Sequence, residues 1–72
     1  MHISFLHQLV ARGEFSLTFV SEDGQLIHVD RCVCTSFHSS GSTMNIKLIG
    51  SGEIRKVVRI TIIDINGKEV YL

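Results

Sequence analysis

His28, Cys32, Cys34 and His38 fall within eleven residues, and imidazole and thiolate are the usual ligands of zinc. Their spacing is that of a strand, not of a metal-binding turn. Residues two apart on a strand are separated by about 6.6 Å, which sets the two histidines about 30 Å apart on a straight one. One ion cannot gather all four. Cys32 and Cys34 lack the C-x-x-C spacing of redox and zinc motifs, and neighbours on one side of a strand diverge from disulfide geometry. Both are expected as free thiols in a reducing compartment, packing as small soft side chains. No metal and no cofactor is expected.

Nucleophilic catalysis needs a cysteine or serine beside an oriented base, and a chain this small has little room for a water-excluding cleft around one. Glu22 and Asp23 belong to a turn, and Asp64 stands alone, so no carboxylate pair suggests acid–base chemistry. Gly50-Ser51-Gly52 is not followed by the lysine and hydroxyl of a phosphate-binding loop. His2 and His7 do not share a helix face. The expectation is a protein that binds and does not catalyse.

Seven basic and seven acidic residues cancel, so the chain as a whole lacks the positive excess of duplex-binding domains. The one basic concentration is Arg55, Lys56 and Arg59, a local patch of a kind that more often forms an ordinary solvated face. Seventy-two residues make one domain, 1–72, which buries only about 60% of the surface its unfolded chain exposes. Yet 44% of the residues are hydrophobic. That surplus points to a homo-oligomer or a protein partner, because exposed apolar patches mark contacts. No apolar run approaches the roughly 18 to 20 residues of a membrane span, and no basic segment leads into a cleavable apolar one. No membrane partner and a cytoplasmic location are expected.

Residues 2–12 carry the helical pattern: Ile3, Phe5, Leu6, Leu9 and Val10 share one stripe, and Gly13 follows as a C-cap. From Glu14 the period changes to two. Phe15, Leu17 and Phe19 mark a first strand ending at Ser21-Glu22-Asp23-Gly24, and the second runs over residues 25–37. It sets Ile27, Val29, Val33 and Phe37 on one face and His28, Asp30, Cys32, Cys34, Ser36 and His38 on the other. A polar loop, Ser39-Ser40-Gly41-Ser42-Thr43, precedes a third strand with Met44, Ile46 and Leu48. Residues 54–65 are apolar on both faces, as in a doubly covered strand or one that bends through a bulge.

The last residues read as strand, Asn66-Gly67 turn, strand. A two-residue turn would set Asp64 opposite Glu69, an unfavourable like-charge pair worth up to about 1 kcal/mol. A four-residue connection pairing Ile65 with Val70 is therefore expected. One helix and five short strands predict a mainly β chain whose strongly bent antiparallel sheet closes as a small barrel, removing its edges. The alternative is an open antiparallel sheet with the helix packed on it.

The run Ile65-Asn66-Gly67-Lys68-Glu69-Val70-Tyr71-Leu72, the strand–turn–long-strand pattern from Leu17 to Phe37, and the pair Met44-Asn45 together resemble the Sm-like proteins. Asn66 stands where their second signature has arginine, and His38 where the first has an acidic residue. The resemblance implies a small barrel of Sm-like or Src-homology-3-like form and assembly through strand addition. It also implies single-stranded nucleic-acid binding, with Asn45 and Asn66 at the base pocket, Arg55, Lys56 and Arg59 on phosphates, and Phe37 or Tyr71 stacking on bases.

Overall fold

The computed structural model describes residues 1–38 and 41–72, so Ser39 and Ser40 of the expected polar loop lie outside the described residues. A 3-10 turn, Ile3–Phe5, leads into helix α1, Leu6–Val10. Six strands follow: β1 Phe15–Val20, β2 Leu26–Phe37, β3 Thr43–Leu48, β4 Ile54–Val58, β5 Ile62–Ile65 and β6 Lys68–Glu69. They form one antiparallel sheet in the order β4-β3-β2-β1-β5-β6. The chain is mainly β with one short N-terminal helix, as its two hydrophobic periods indicate.

The helix is shorter than residues 2–12. Its first turn winds with three residues per turn, which carries Phe5 off the apolar stripe and leaves it 56% exposed. Leu6 and Val10 remain on the stripe and enter the core with Phe15, Leu17, Phe19, Val29, Met44, Ile46, Val57, Ile62 and Ile65.

The expected barrel does not form. The sheet is open, with β4 at one end and β6 at the other, and matches the alternative. Closure would have to join these two ends, but the outer side of the β6 segment is already occupied. Met1 N donates to Glu69 O at 2.6 Å, Tyr71 N to Met1 O at 3.0 Å, and Ile3 N to Tyr71 O at 2.7 Å.

Three local expectations also change. Residues 54–65 are two strands, broken by a 3-10 turn at Arg59–Thr61, where Thr61 Oγ1 donates to Val58 O at 2.6 Å. The turn resets the strand phase. Val57 faces inward before it and Ile62 after it, and a bulge at Ile63, opposite the step from Thr18 to Phe19, brings Ile65 inward as well, which is why the sequence looks apolar on both faces. In β2, a three-residue step from Val29 to Cys32 faces a two-residue step from Leu17 to Phe15. This bulge turns Cys32 inward, fully buried, and not onto the expected polar face. A second irregularity between Cys34 and Ser36 turns Ser36 outward opposite Asn45 and sets Phe37 opposite buried Met44.

The final hairpin is the two-residue form, with Ile65 opposite Lys68 and Asp64 opposite Glu69. Asn66 and Gly67 both take positive φ, 52° and 78°, as the mirror-image turn that matches strand twist requires. Asn66 Oδ1 also accepts from Ser16 N–H at 3.0 Å, and Asn66 N–H donates to Ser16 O at 3.1 Å. Turn chemistry and these two bonds outweigh the like-charge pair.

Candidate functional site

The five residues assigned to nucleic-acid binding do not share one surface. Asn45 on β3 and Lys56 on β4 are directly opposed and exposed, and Asn45 Nδ2 donates to Ser36 Oγ at 3.0 Å. Ser36, Asn45 and Lys56 thus form a polar row across β2, β3 and β4 on the outer face, beside a hollow of about 410 Å³ that Phe37 and His38 also line. Arg55 alternates to the other face, opposite buried Ile46, and pairs with Glu53 at 3.4 Å.

Arg59 and Asn66 hold the fold together. Arg59 Nη1 donates to Gly41 O at 2.8 Å and Nη2 to Ile3 O at 3.1 Å, tying the start of the chain and the β2–β3 connection to the turn after β4. Asn66 closes the last hairpin against Ser16. The two stacking candidates already have ring partners: Phe37 lies parallel to His7 with centroids 4.2 Å apart, and Tyr71 meets the edge of His2 at 5.6 Å.

Thr18, His28 and Asp30 form a relay absent from the sequence reading. Thr18 Oγ1 and His28 Nδ1 are 2.7 Å apart, and His28 Nε2 lies 3.1 Å from Asp30 Oδ1. A catalytic triad needs an open nucleophile and a sheltered carboxylate. Here the hydroxyl is on a residue 8% exposed and the carboxylate side chain is 91% exposed, the reverse arrangement. The relay links β1 to β2. Its only sequence signal is strand register, which opposes Thr18 to His28.

The thiols are also unprepared for chemistry. Burial, with Cys34 close by, pushes the Cys32 thiol up to about 11, and burial raises Cys34 as well, so both favour the uncharged form. Among the described residues, no group of three His, Cys, Asp or Glu is placed to hold a metal ion. No helix of the described residues is long and apolar enough to cross a membrane.

The edge of β4 has the geometry that remains. Leu48 N donates to Glu53 O, and Arg59 N to Ser42 O, so in this antiparallel ladder the odd-numbered residues 53–59 point their backbone groups at β3. Ile54, Lys56 and Val58 point theirs away. The Thr61 hydroxyl reaches the Val58 carbonyl on that outer side. No hydrogen bond among the described residues engages the N–H or C=O of Ile54 or Lys56 at this edge, and the Ile54 side chain is 55% exposed.

A cleft of about 410 Å³ lies between Arg55, Lys56 and Val58 on one wall and Phe19, Val20 and the Ser21–Asp23 turn on the other. The Ser21 hydroxyl donates to Asp23 and holds its carboxyl below the usual range, so the second wall keeps its negative charge. An unpaired strand edge facing a cleft with both charge signs suits an extended polypeptide, whose backbone supplies donors and acceptors alternately. Comparison with known proteins finds no matching family model, no matching curated protein and no matching solved structure.

Proposed function

We propose that this chain is a non-catalytic binding module that works by strand addition: the edge of β4 takes up an extended segment of a second chain, either another copy or a protein partner. The observation that carries this reading is the outward backbone of Ile54 and Lys56, without hydrogen-bond partners among the described residues, on a strand whose Arg55, Lys56 and Val58 line a cleft. Exposed Ile54 and Ile60, 55% and 70%, supply apolar surface at the start of β4 and in the turn that follows it. Lys56 in the middle of the edge discourages indiscriminate pairing and favours a strand with an acidic residue opposite it.

The form of self-association is constrained. A contact joining β4 of one copy to β6 of another is blocked by Met1–Ile3, which leaves β4 against β4 or another exposed segment. Sedimentation over a wide concentration series tests this on the wild-type chain and on Lys56→Pro, which removes an outward N–H while the inward ladder remains. The wild type is expected to associate and the variant to remain monomeric. Association unaffected by Lys56→Pro would remove the β4 edge from the reading.

A second reading, single-stranded nucleic-acid binding in keeping with the Sm-like resemblance, draws on the Ser36–Asn45–Lys56 row and its hollow. It has Lys56 with no ion pair among the described residues, whereas Arg55 is paired with Glu53 and Arg59 is tied to two carbonyls. Retention of labelled oligonucleotides that weakens with salt would support it. No retention at low salt would end it.

A further inference from the structure

The edge of β4 ends at a further, smaller cavity of about 320 Å³, whose apolar walls are Ile3, Val58, Ile60 and Leu72 and whose polar lining is Arg59 with Gly41 and Ser42. Ile60 and Leu72 are 70% and 77% exposed, so this is apolar surface held open to water. The Arg59 guanidinium carries five N–H donors, of which Gly41 O and Ile3 O engage one each. Its Nε is buried without a hydrogen-bond partner, and no carboxylate among the described residues pairs with it. A half-buried cation with no carboxylate paired to it among the described residues, set in largely apolar walls, is electrostatically incomplete.

We propose that this cavity receives the C-terminal carboxylate and apolar last side chain of a partner peptide that adds to β4 in the parallel direction. The inference rests on the strand-addition reading and names the partner's chemistry. Direction follows from position: the cavity lies at the Val58 end of β4, and only a strand running parallel to β4 brings its C-terminus there. Side-chain pattern follows from register. Ile54, Lys56 and Val58 share the outer face of the edge, so the matching peptide places apolar, acidic and apolar residues at alternate positions. The ladder stops where the cavity begins, because the Val58 carbonyl is already engaged by Thr61. The free carboxylate then meets the remaining Nη donors of Arg59, in the charge-assisted geometry that arginine and carboxylate favour.

The test uses the full chain and the acetylated pentapeptide Val-Thr-Glu-Thr-Val as its free acid, as its C-terminal amide, and beside N-acetylvaline alone, with affinities from isotope-edited titration. The free acid is expected to bind about tenfold or more tightly than the amide and to shift Ile54, Lys56 and Val58 resonances. Ile60→Asp, which sets a carboxylate at the cavity mouth and touches none of the Arg59 bonds, is expected to weaken both forms through the lost apolar wall and the acid several-fold more than the amide, so that the acid-to-amide ratio falls. Equal binding of acid and amide along β4 would overturn the carboxylate inference while the strand-addition reading stands. N-acetylvaline binding as tightly as the pentapeptide would overturn the strand portion and make the cavity a small-carboxylate site. No binding of any probe would overturn the inference outright, and the sedimentation experiment would still decide strand addition.

Discussion

At the β6 end of the sheet the outward groups of Glu69 and Tyr71 meet Met1 and Ile3, whereas at the β4 end those of Ile54 and Lys56 meet no hydrogen-bond partner among the described residues. Both ends are short and both follow tight turns. What separates them is the first segment of the chain, which crosses the β6 end with Ile3 and then sends Leu6 into the core. One end is finished from within the chain, and the other is blunted by the charge of Lys56 and by the Thr61 hydroxyl on the Val58 carbonyl. A small sheet can therefore be stable and still keep a pairing edge, provided the core is anchored at the opposite end.

The largest expected effect breaks the covered end. Leu6→Ala removes a fully buried side chain and is expected to cost about 2 to 5 kcal/mol. That is a large part of the roughly 4 to 11 kcal/mol a chain of this length can hold. Ile54→Ala at the open end is expected to change stability by about 0.5 kcal/mol or less, because its side chain is more than half exposed. Urea unfolding of the two variants measures the contrast directly. Similar losses would mean that the β4 edge is covered after all.

Asn66→Ala comes next, since it forces a β-carbon residue other than Asn into a φ of 52° and leaves Ser16 N–H without its acceptor. The expected loss is about 1 to 3 kcal/mol. Asn66→Gly relieves the backbone but not the missing acceptor, so it should lie between Ala and wild type. If the two substitutions are equal, the hydrogen bond and not the turn conformation closes the β6 end.

Much of this architecture is legible in residue pattern, and the exceptions have physical causes. Phe15, Leu17 and Phe19, or Met44 and Ile46, alternate cleanly because each run lies on one unbroken strand face. The inward position of Cys32 is not legible, because a bulge depends on the step of the partner strand, and residues 25–37 alone cannot show that Leu17 to Phe15 is one residue shorter than Val29 to Cys32. The register of the last hairpin is not legible either, because the like-charge pair is visible in the sequence while the bonds that outweigh it join Asn66 to Ser16, fifty residues away. The same distance effect governs the site. Arg55, Lys56 and Arg59 are neighbours in sequence, yet one faces the core side with Glu53, one faces solvent, and one binds carbonyls from Gly41 and Ile3. Closeness along the chain predicted a shared role that the strand alternation and the 3-10 turn divide.

The strand joining the two halves of the sheet offers a smaller effect. Cys32 on β2 lies opposite Phe15 of β1 and Leu48 of β3, at the junction of the two halves. Its thiol is raised from 9.0 to about 11 by burial, so the unfolded chain loses this proton before the folded one does. Its contribution is complete below pH 9.0 and declines as pH rises from there through about 11, by an amount on the order of 1 to 2 kcal/mol. Thermal melts across that window should show a shallower alkaline decline for Cys32→Ala than for wild type. Identical slopes would mean that the junction admits the charge, and that the two halves are joined less tightly than their shared burial indicates.

The smallest perturbation changes no residue at all and bears most directly on the open edge. In amide exchange of the dilute protein, Arg55 and Val57 are expected to be protected, because their N–H groups point into β3, while Ile54, Lys56 and Val58 exchange rapidly from the outer side. At the β6 end Tyr71 should be protected in spite of its 55% exposure, since its N–H is held by Met1 O at 3.0 Å. Exposure and protection are thus predicted to disagree in opposite ways at the two ends: an exposed residue that exchanges slowly at one, and a half-buried Val58 that exchanges fast at the other. Uniform protection along β4 in the dilute chain would show that edge to be covered within one molecule. Protection that appears at Ile54, Lys56 and Val58 only as concentration or a peptide is raised would identify the even-numbered amides as the groups that take up the added strand.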